Sequence, residues 1–433
     1  MNDLFRHGKS FWSRKKTGSL WKFLIPAAIP LLLLGAAGVW FLSGPRTEDQ
    51  RFRSFTRQLF CQEVGANTLN LHYTLADPAA YGIDSTRISL GTMEQSAWEA
   101  SSMQAENCLS ALEGFSREEL SPQNRLTYDV LRDYLRTRLE GTAFYLYDEP
   151  LSPTLGIQAQ LPVLLAEYPF RTKGDIETYL QLLTAIPEYF QSIIDFEKEK
   201  AQAGLFMSDA SVSNILRQCD AFLSSKDDNY LRQLFDQQID SFSNLTIVEK
   251  ISYKQQNQDI LNAYVMPAYE NLMKELANLL GSGKNTGGLY YLPQGKEYYA
   301  WLVKSTTGDD SGIEAIEERI RQEIVQVSGE VQTLLSSDHG LTSISLDEYE
   351  SQEPAEIISS LQQMITRDFP EAPQVSCQIK YVHDSLQDYL SPAFYLTPAI
   401  DDTDRNVIYI NPASDYNALE LYTTLAHEGY PGH

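Results

Sequence analysis

"DIETYLQLLTAIPEYFQSIIDFEKEKAQAG", residues Asp175 to Gly204, points to the fold class. Ile176, Leu180, Leu183, Tyr189, Phe190, Ile193 and Ile194 recur at the three- and four-residue intervals that line one face of an α-helix. Pro187 is expected to kink this helix and Gly204 to stop it. The same signature appears upstream in "SPQNRLTYDVLRDYLRTRLEG". There Ser121 is suited to cap the helix, Pro122 to its first turn, and Tyr128, Leu131, Leu135 and Leu139 to one stripe. Further helical patterns cover residues Ser211 to Leu223, Ile251 to Leu280 and Gly312 to Leu335. Cys219 falls on the apolar face of the first of these, with Val212, Ile215, Leu216, Phe222 and Leu223, and is expected to be a buried free thiol. The chain therefore reads as mainly α.

Beyond the glycine-rich break "GSGKNTGG", Gly281 to Gly288, the pattern changes. "QVSCQIKYV" (Gln374–Val382), "AFYLTP" (Ala393–Pro398) and "NVIYIN" (Asn406–Asn411) are rich in β-branched and aromatic residues and bounded by Pro, Asp and Asn. A small β-sheet is expected there, followed by a last helix from about Ser414 or Asp415. The organisation implied is a helical domain over residues 47–280 and a second region over 289–433. The break lacks the frame of a phosphate-binding loop around Lys284. "DDTDRN", Asp401 to Asn406, lacks the Gly and Glu of a calcium loop and reads as a turn between strands. Tyr290, Tyr291, Tyr298, Tyr299 and Trp301 read as core packing.

At the N-terminus, residues 23–42, "FLIPAAIPLLLLGAAGVWFL", carry no charge over the length a helix needs to cross a bilayer. Residues 1–22 are basic, so a transmembrane anchor is expected there, with the N-terminus cytoplasmic and the bulk of the chain extracytoplasmic. No Cys follows the stretch closely, which argues against lipid attachment at its end. Setting aside residues 1–46 leaves a net charge of −30, a surface that would repel phosphate backbones and excludes nucleic acid as a partner. Cys61, Cys108, Cys219 and Cys377 are widely spaced, without the C-x-x-C of a zinc ribbon or redox pair. A Cys61–Cys108 disulfide is conceivable, but nothing in the sequence demands it.

The candidate chemistry lies in "LAHEGYPGH", Leu425 to His433. His427 and Glu428 begin like a zinc-hydrolase helix, but Pro431 stands where the second His of H-E-x-x-H would be. On a regular helix His433 would be turned about 120° from His427. Pro431 and Gly432 are expected to loosen or bulge the helix and swing His433 round, giving an H-E-x-x-x-x-H site. The apolar "LYTTLA" before the pair suggests a buried helix. His383 and Tyr409, at the ends of the strand segments, are candidate substrate-binding residues, and an extended substrate could add to the sheet as a further strand. His72 reads as structural and His339 as part of a helix-ending turn.

Residues 50 to 433 resemble the bacterial domain-of-unknown-function 885 family, related to zincin-like metallopeptidases. The resemblance rests on "LNLHYTLADPAAYGI", "LPVLLAEYPF", "FEKEKAQAGLFMSD", "YYLPQGKEYYAWLVKSTTG", "FYLTPAIDDTDRNVIYIN" and "LAHEGYPGH". It implies a mainly helical, zincin-like scaffold with a small sheet beside a zinc-binding helix. His427 and His433 would be the metal ligands and Glu428 the catalytic general base. The function expected is a membrane-anchored, extracytoplasmic zinc metallopeptidase acting on peptides. The alternatives are a non-enzymatic surface binding protein and a zinc amide hydrolase acting on cell-wall peptides. By the same resemblance the third ligand is a Glu on a following helix. The chain is accordingly expected to be a truncated form of a longer protein, inactive as given, with Glu420 and His383 as upstream ligands only if it proves active.

Overall fold

The computed structural model describes residues 47–224, 229–336, 353–371, 375–382, 387, 392–413 and 417–433. Four early helices, α1 (Glu48–Gly65), α2 (Thr68–Thr74), α3 (Gln95–Glu113) and α4 (Pro122–Glu140), lead into α5 (Ile157–Ala166) and the long α6 (Lys173–Ala203). The sequence signals act as expected at their ends. Ser121 accepts from the Asn124 N–H to cap α4, and Gly204, at φ 75°, closes α6 in the left-handed conformation that glycine tolerates best. Thr172 and Asp175 form a reciprocal capping box at the start of α6. The helix continues through Pro187.

Around α6 pack α7 (Asp209–Ser224), α8 (Tyr230–Ser241), α9 (Ile247–Ile260) and α10 (Met266–Asn278). Ile176, Leu183, Phe190 and Ile194 of α6 meet Ile215 and Cys219 of α7, Phe235 of α8 and Leu272 of α10 in the main core. Cys219 is a free, fully buried thiol, with its pKa pushed up to about 12 by burial; Cys61 and Cys108 are also free. The single helix expected over Ile251–Leu280 is divided by a π-turn at Leu261–Val265. Pro267 follows at once; having no N–H and a bulky ring, it cannot join the regular ladder to the preceding turn.

The glycine-rich stretch after α10 folds back on α7. Its Gly281 N–H donates to the Asp209 carboxylate at 2.9 Å, and a Cβ at Gly283 would come within 2.2 Å of the Met207 carbonyl oxygen. Beyond it, α11 (Gly295–Thr307) returns to α4, with Trp301 lying on Gly141 and Lys304 paired with Glu140 at 2.8 Å. The expected aromatic core is corrected in part. Tyr298 packs against Tyr147, but Tyr290, Tyr291 and Tyr299 are exposed because the short turn that carries the first two lies on the surface. Next comes α12 (Ile313–Ser336), none of whose residues is buried.

The final region holds α13 (Pro354–Met364), strands β1 (Ser376–Tyr381), β2 (Ala393–Leu396) and β3 (Arg405–Ile410), and α14 (Ala418–Glu428). The order is β1–β3–β2, with β1 parallel and β2 antiparallel to β3. Side chains alternate across a strand. Val407 and Tyr409 thus join the helical core, while Ile408 and Ile410 pack with Ile357, Ile358 and Leu361 of α13 and Leu425 of α14. Asp401, in the turn between β2 and β3, accepts from the Ala76 and Asp77 N–H groups at 2.6 and 3.0 Å and ties the sheet to the early helices.

The expectation of a fold opening with a transmembrane helix is corrected. No helix among the described residues is long and apolar enough to cross a membrane, and residues 23–42 lie outside them. The long described helices are apolar on one stripe only. Even α6 carries Glu177, Glu188, Asp195 and Lys198 among its apolar residues.

Candidate functional site

Helix α14 is held at both ends before its functional residues are reached. At its start the Asn417 side chain accepts from the Glu420 N–H at 3.0 Å, and the Glu420 carboxylate accepts from the Asn417 N–H at 2.9 Å. Glu420 is thereby committed to the cap, about 10 Å along the axis from His427. Near its end Leu425 is fully buried against the sheet and α13, which fixes the rotation of the last turn. His427 is exposed and Glu428 half-buried, so the helix is anchored by Leu425 and is not the wholly buried element that "LYTTLA" suggested.

The helix stops at Glu428 and does not bulge. The chain folds back over the last turn, so that the Gly432 N–H donates to the Ala426 carbonyl at 3.0 Å and the His433 N–H to the His427 carbonyl at 2.9 Å. Two glycines permit this. A Cβ at Gly429 would lie 2.6 Å from the Ile358 side chain, and one at Gly432 only 1.8 Å from the His427 carbonyl oxygen. The result brings the two imidazoles edge to face, with centroids 5.0 Å apart and an interplanar angle of 86°.

That spacing can be tested against a shared metal. Zinc sits about 2.0–2.1 Å from a ligating nitrogen, and the ring centroid lies roughly 1 Å further back, so two imidazoles on one tetrahedral zinc have centroids about 5 Å apart. His427 and His433 fit two positions of such a set. Among the described residues no group of three His, Cys, Asp or Glu side chains gathers to complete it.

Glu428 is positioned from the sheet. Its Oε2 accepts from the Tyr395 N–H of β2 at 2.9 Å. The Tyr395 ring lies parallel to that of His433, with centroids 6.0 Å apart, and its hydroxyl donates to Asn406 Oδ1 at 2.5 Å. Glu428 and His433 form part of the wall of an open cavity of about 670 Å3. Tyr395 was not singled out from sequence, because its contribution comes from a backbone N–H, for which side-chain chemistry gives no signal.

Tyr409 is on the other face of the sheet. Its ring stacks on Phe394 at 4.9 Å, and its hydroxyl meets the Glu167 carboxylate and the Lys380 ammonium, the latter at 3.3 Å. Burial and the nearby Glu167 charge raise its pKa. It is not brought together with Glu428. His383 and His339 lie outside the described residues. His72 is buried, stacked on Tyr168 at 3.7 Å, with Nε2 3.0 Å from the Pro169 carbonyl oxygen. Burial first, and then the Arg171 charge, lower its pKa to about 4.

The fold and site together define a mainly helical protein with a small mixed sheet that braces a His-Glu helix. The chain belongs to the family described as bacterial protein of unknown function (DUF885), whose model matches residues 79–433. Among solved structures it is similar to the "putative lipoprotein from Colwellia psychrerythraea", with 19% identity and a TM-score of 0.72 over 89% of this chain and 72% of that one. That likeness is one of fold. A second similar structure, a "putative lipoprotein of unknown function from Shewanella oneidensis", has 11% identity and a TM-score of 0.49 over 89% of this chain and 68% of the other. Comparison with curated proteins found no match.

Proposed function

We propose that this protein is an extracytoplasmic zinc metallopeptidase related to the zincins. His427 and His433 would be two of the metal ligands and Glu428 the general base. The observation that carries the reading is the return of His433 to His427, with Glu428 held beside them at the edge of an open cavity. A catalytic zinc takes three protein ligands, so the reading requires a third from outside the described residues. Extracytoplasmic, membrane-associated placement is supported by the fold likeness to the Colwellia protein.

When bound, zinc supplies a Lewis acid for the scissile carbonyl and acidifies a water molecule. The remaining work falls to the chain's own groups. The Tyr395 N–H engages Glu428 Oε2, which leaves Oε1 to accept the proton of the attacking water and then deliver it to the departing amine. His427 and His433 would hold the metal through imidazole nitrogens, and the two backbone bonds from residues 432 and 433 to the last helical turn fix the separation of the two side chains.

The test begins with metal analysis. Purified protein that carries the third ligand should take up zinc one-to-one, and His427→Ala or His433→Ala should abolish this. Glu428→Gln should keep the zinc and lower peptide hydrolysis by about 10²- to 10⁴-fold, the usual worth of a general base. Protein free of stoichiometric zinc would favour a non-enzymatic binding role, and hydrolysis unchanged in Glu428→Gln would sink the base assignment.

A further inference from the structure

The cavity beside Glu428 and His433 has a composition of its own. Its buried wall includes Ile365 and Ile408, and at its rim stand Phe369 and Ile400, 52% and 53% exposed despite being large and apolar. Val375 and Tyr430 add further apolar surface. Its volume, about 670 Å3, is that of a ligand site and exceeds what a single water-filled crevice needs.

Among the polar groups of this wall, Asn406 and one oxygen of Glu428 are already engaged. Asn406 accepts from the Tyr395 hydroxyl and donates to the Ser376 and Thr403 carbonyls at 3.3 and 3.1 Å. Glu428 Oε2 is held by the Tyr395 N–H. A polar side chain entering here would leave water and find Asn406 already bonded, which is costly; an apolar one would gain burial. The carboxylates of Glu371 and Glu428, both lining the cavity, oppose an acidic side chain.

We propose that this cavity is a specificity pocket that receives a bulky apolar side chain, of leucine or phenylalanine type, from a peptide whose backbone lies across Glu428. The assignment rests on the metallopeptidase reading for what happens to the peptide, but the pocket's preference is a matter of binding alone. Continuity decides the occupant: Glu428 and His433 belong to the same wall as the apolar residues, so a residue seated here brings its own amide next to the base.

The experiment uses two fluorescent peptides with a reduced, uncleavable central bond, alike except for Leu or Asp beside it. Their affinities are measured by anisotropy on the full chain, with and without zinc. The Leu peptide should bind at least about tenfold more tightly, and Phe369→Ser and Ile400→Asn, both at exposed positions, should bring the ratio close to one. Ile400→Leu should preserve it, which separates the pocket's chemistry from general disturbance. Equal binding of the two peptides, or a preference untouched by both rim substitutions, overturns the proposal. A preference that persists in protein unable to take up zinc keeps the pocket and overturns the metal reading; zinc uptake without preference does the reverse.

Discussion

Gly432 shows how much of the site depends on one missing side chain. Its N–H closes the turn onto Ala426 while its α-carbon faces the His427 carbonyl, where a methyl group would overlap at 1.8 Å. Gly432→Ala must open that turn and move His433 away from His427. Because residues 431–433 are exposed, the expected effect falls on metal and not on folding: a tenfold or greater loss of zinc affinity with a melting temperature within about 2 °C of the parent. Calorimetric zinc titration beside thermal unfolding separates the two, and unchanged affinity would show that the turn does not set the histidine pair. In sequence Gly432 reads, with Pro431, as loosening or bulging the helix, whereas the helix ends at Glu428. The real requirement for glycine at 429 and 432, close backbone approach, depends on Ile358 and on the helix's own last carbonyls, and no spacing rule contains those distances.

At the scale of elements, helices here are fixed to their neighbours by a few well-packed points. Leu425 is the one buried residue of α14, seated among Ile358, Ile408 and Ile410. Leu425→Ala should cost about 2–4 kcal/mol, the range for a buried leucine. In the same protein zinc affinity should fall, since the last turn loses its rotational anchor. Denaturant unfolding followed by zinc titration checks both, and a stability loss that leaves affinity intact would mean the sheet holds the site without this contact. A second such point is Gly141, where the Trp301 ring from α11 lies 2.3 Å from the position a Cβ would take. Gly141→Ala should push α11 off α4 and cost about 1–3 kcal/mol; a fluorescence shift of tryptophan at 301 would report it, and an unchanged spectrum and stability would contradict it. Helix periods and caps were readable because they are local. The exposure of Tyr290 and Tyr291 was not, because an aromatic cluster in sequence looks the same whether its turn faces the core or water.

For the whole molecule, two buried ionisable groups make stability depend on pH in opposite senses. His72 has a folded-state pKa of about 4 against an ordinary 6.5, so the unfolded chain takes up a proton that the folded one refuses. Its contribution is complete above pH 6.5 and is lost as pH falls toward 4. Glu197 is fully buried, its carboxylate without a hydrogen bond and 3.8 Å from Lys200 Nζ; burial raises its pKa to about 7 from 4.5. The folded state keeps a proton that the unfolded chain releases, so this contribution is present below pH 4.5 and lost as pH rises through 7. Each slope is at most about 1.4 kcal/mol per pH unit, and between pH 4.5 and 6.5 they oppose. Glu197→Gln should remove the alkaline loss, gaining stability over the parent at pH 8 but little at pH 4.5, as melting temperatures across that range would show. An equal effect at every pH would contradict the assignment.

Local pattern was enough for the long helices, their Ser121 and Gly204 ends, the three strands and the His-Glu pair, because each follows from periodicity within a short window or from a residue with a narrow backbone preference. It was not enough for the fold-back by which His433 reaches His427, the grip of the Tyr395 N–H on Glu428, the turning of Tyr409 toward the helical core, or the Asp401 tie to residues 76 and 77. Those depend on which face of the sheet is buried against which helix. That choice is made by the summed packing of residues hundreds of positions apart, and it moves a side chain from one site to another without altering any local signal.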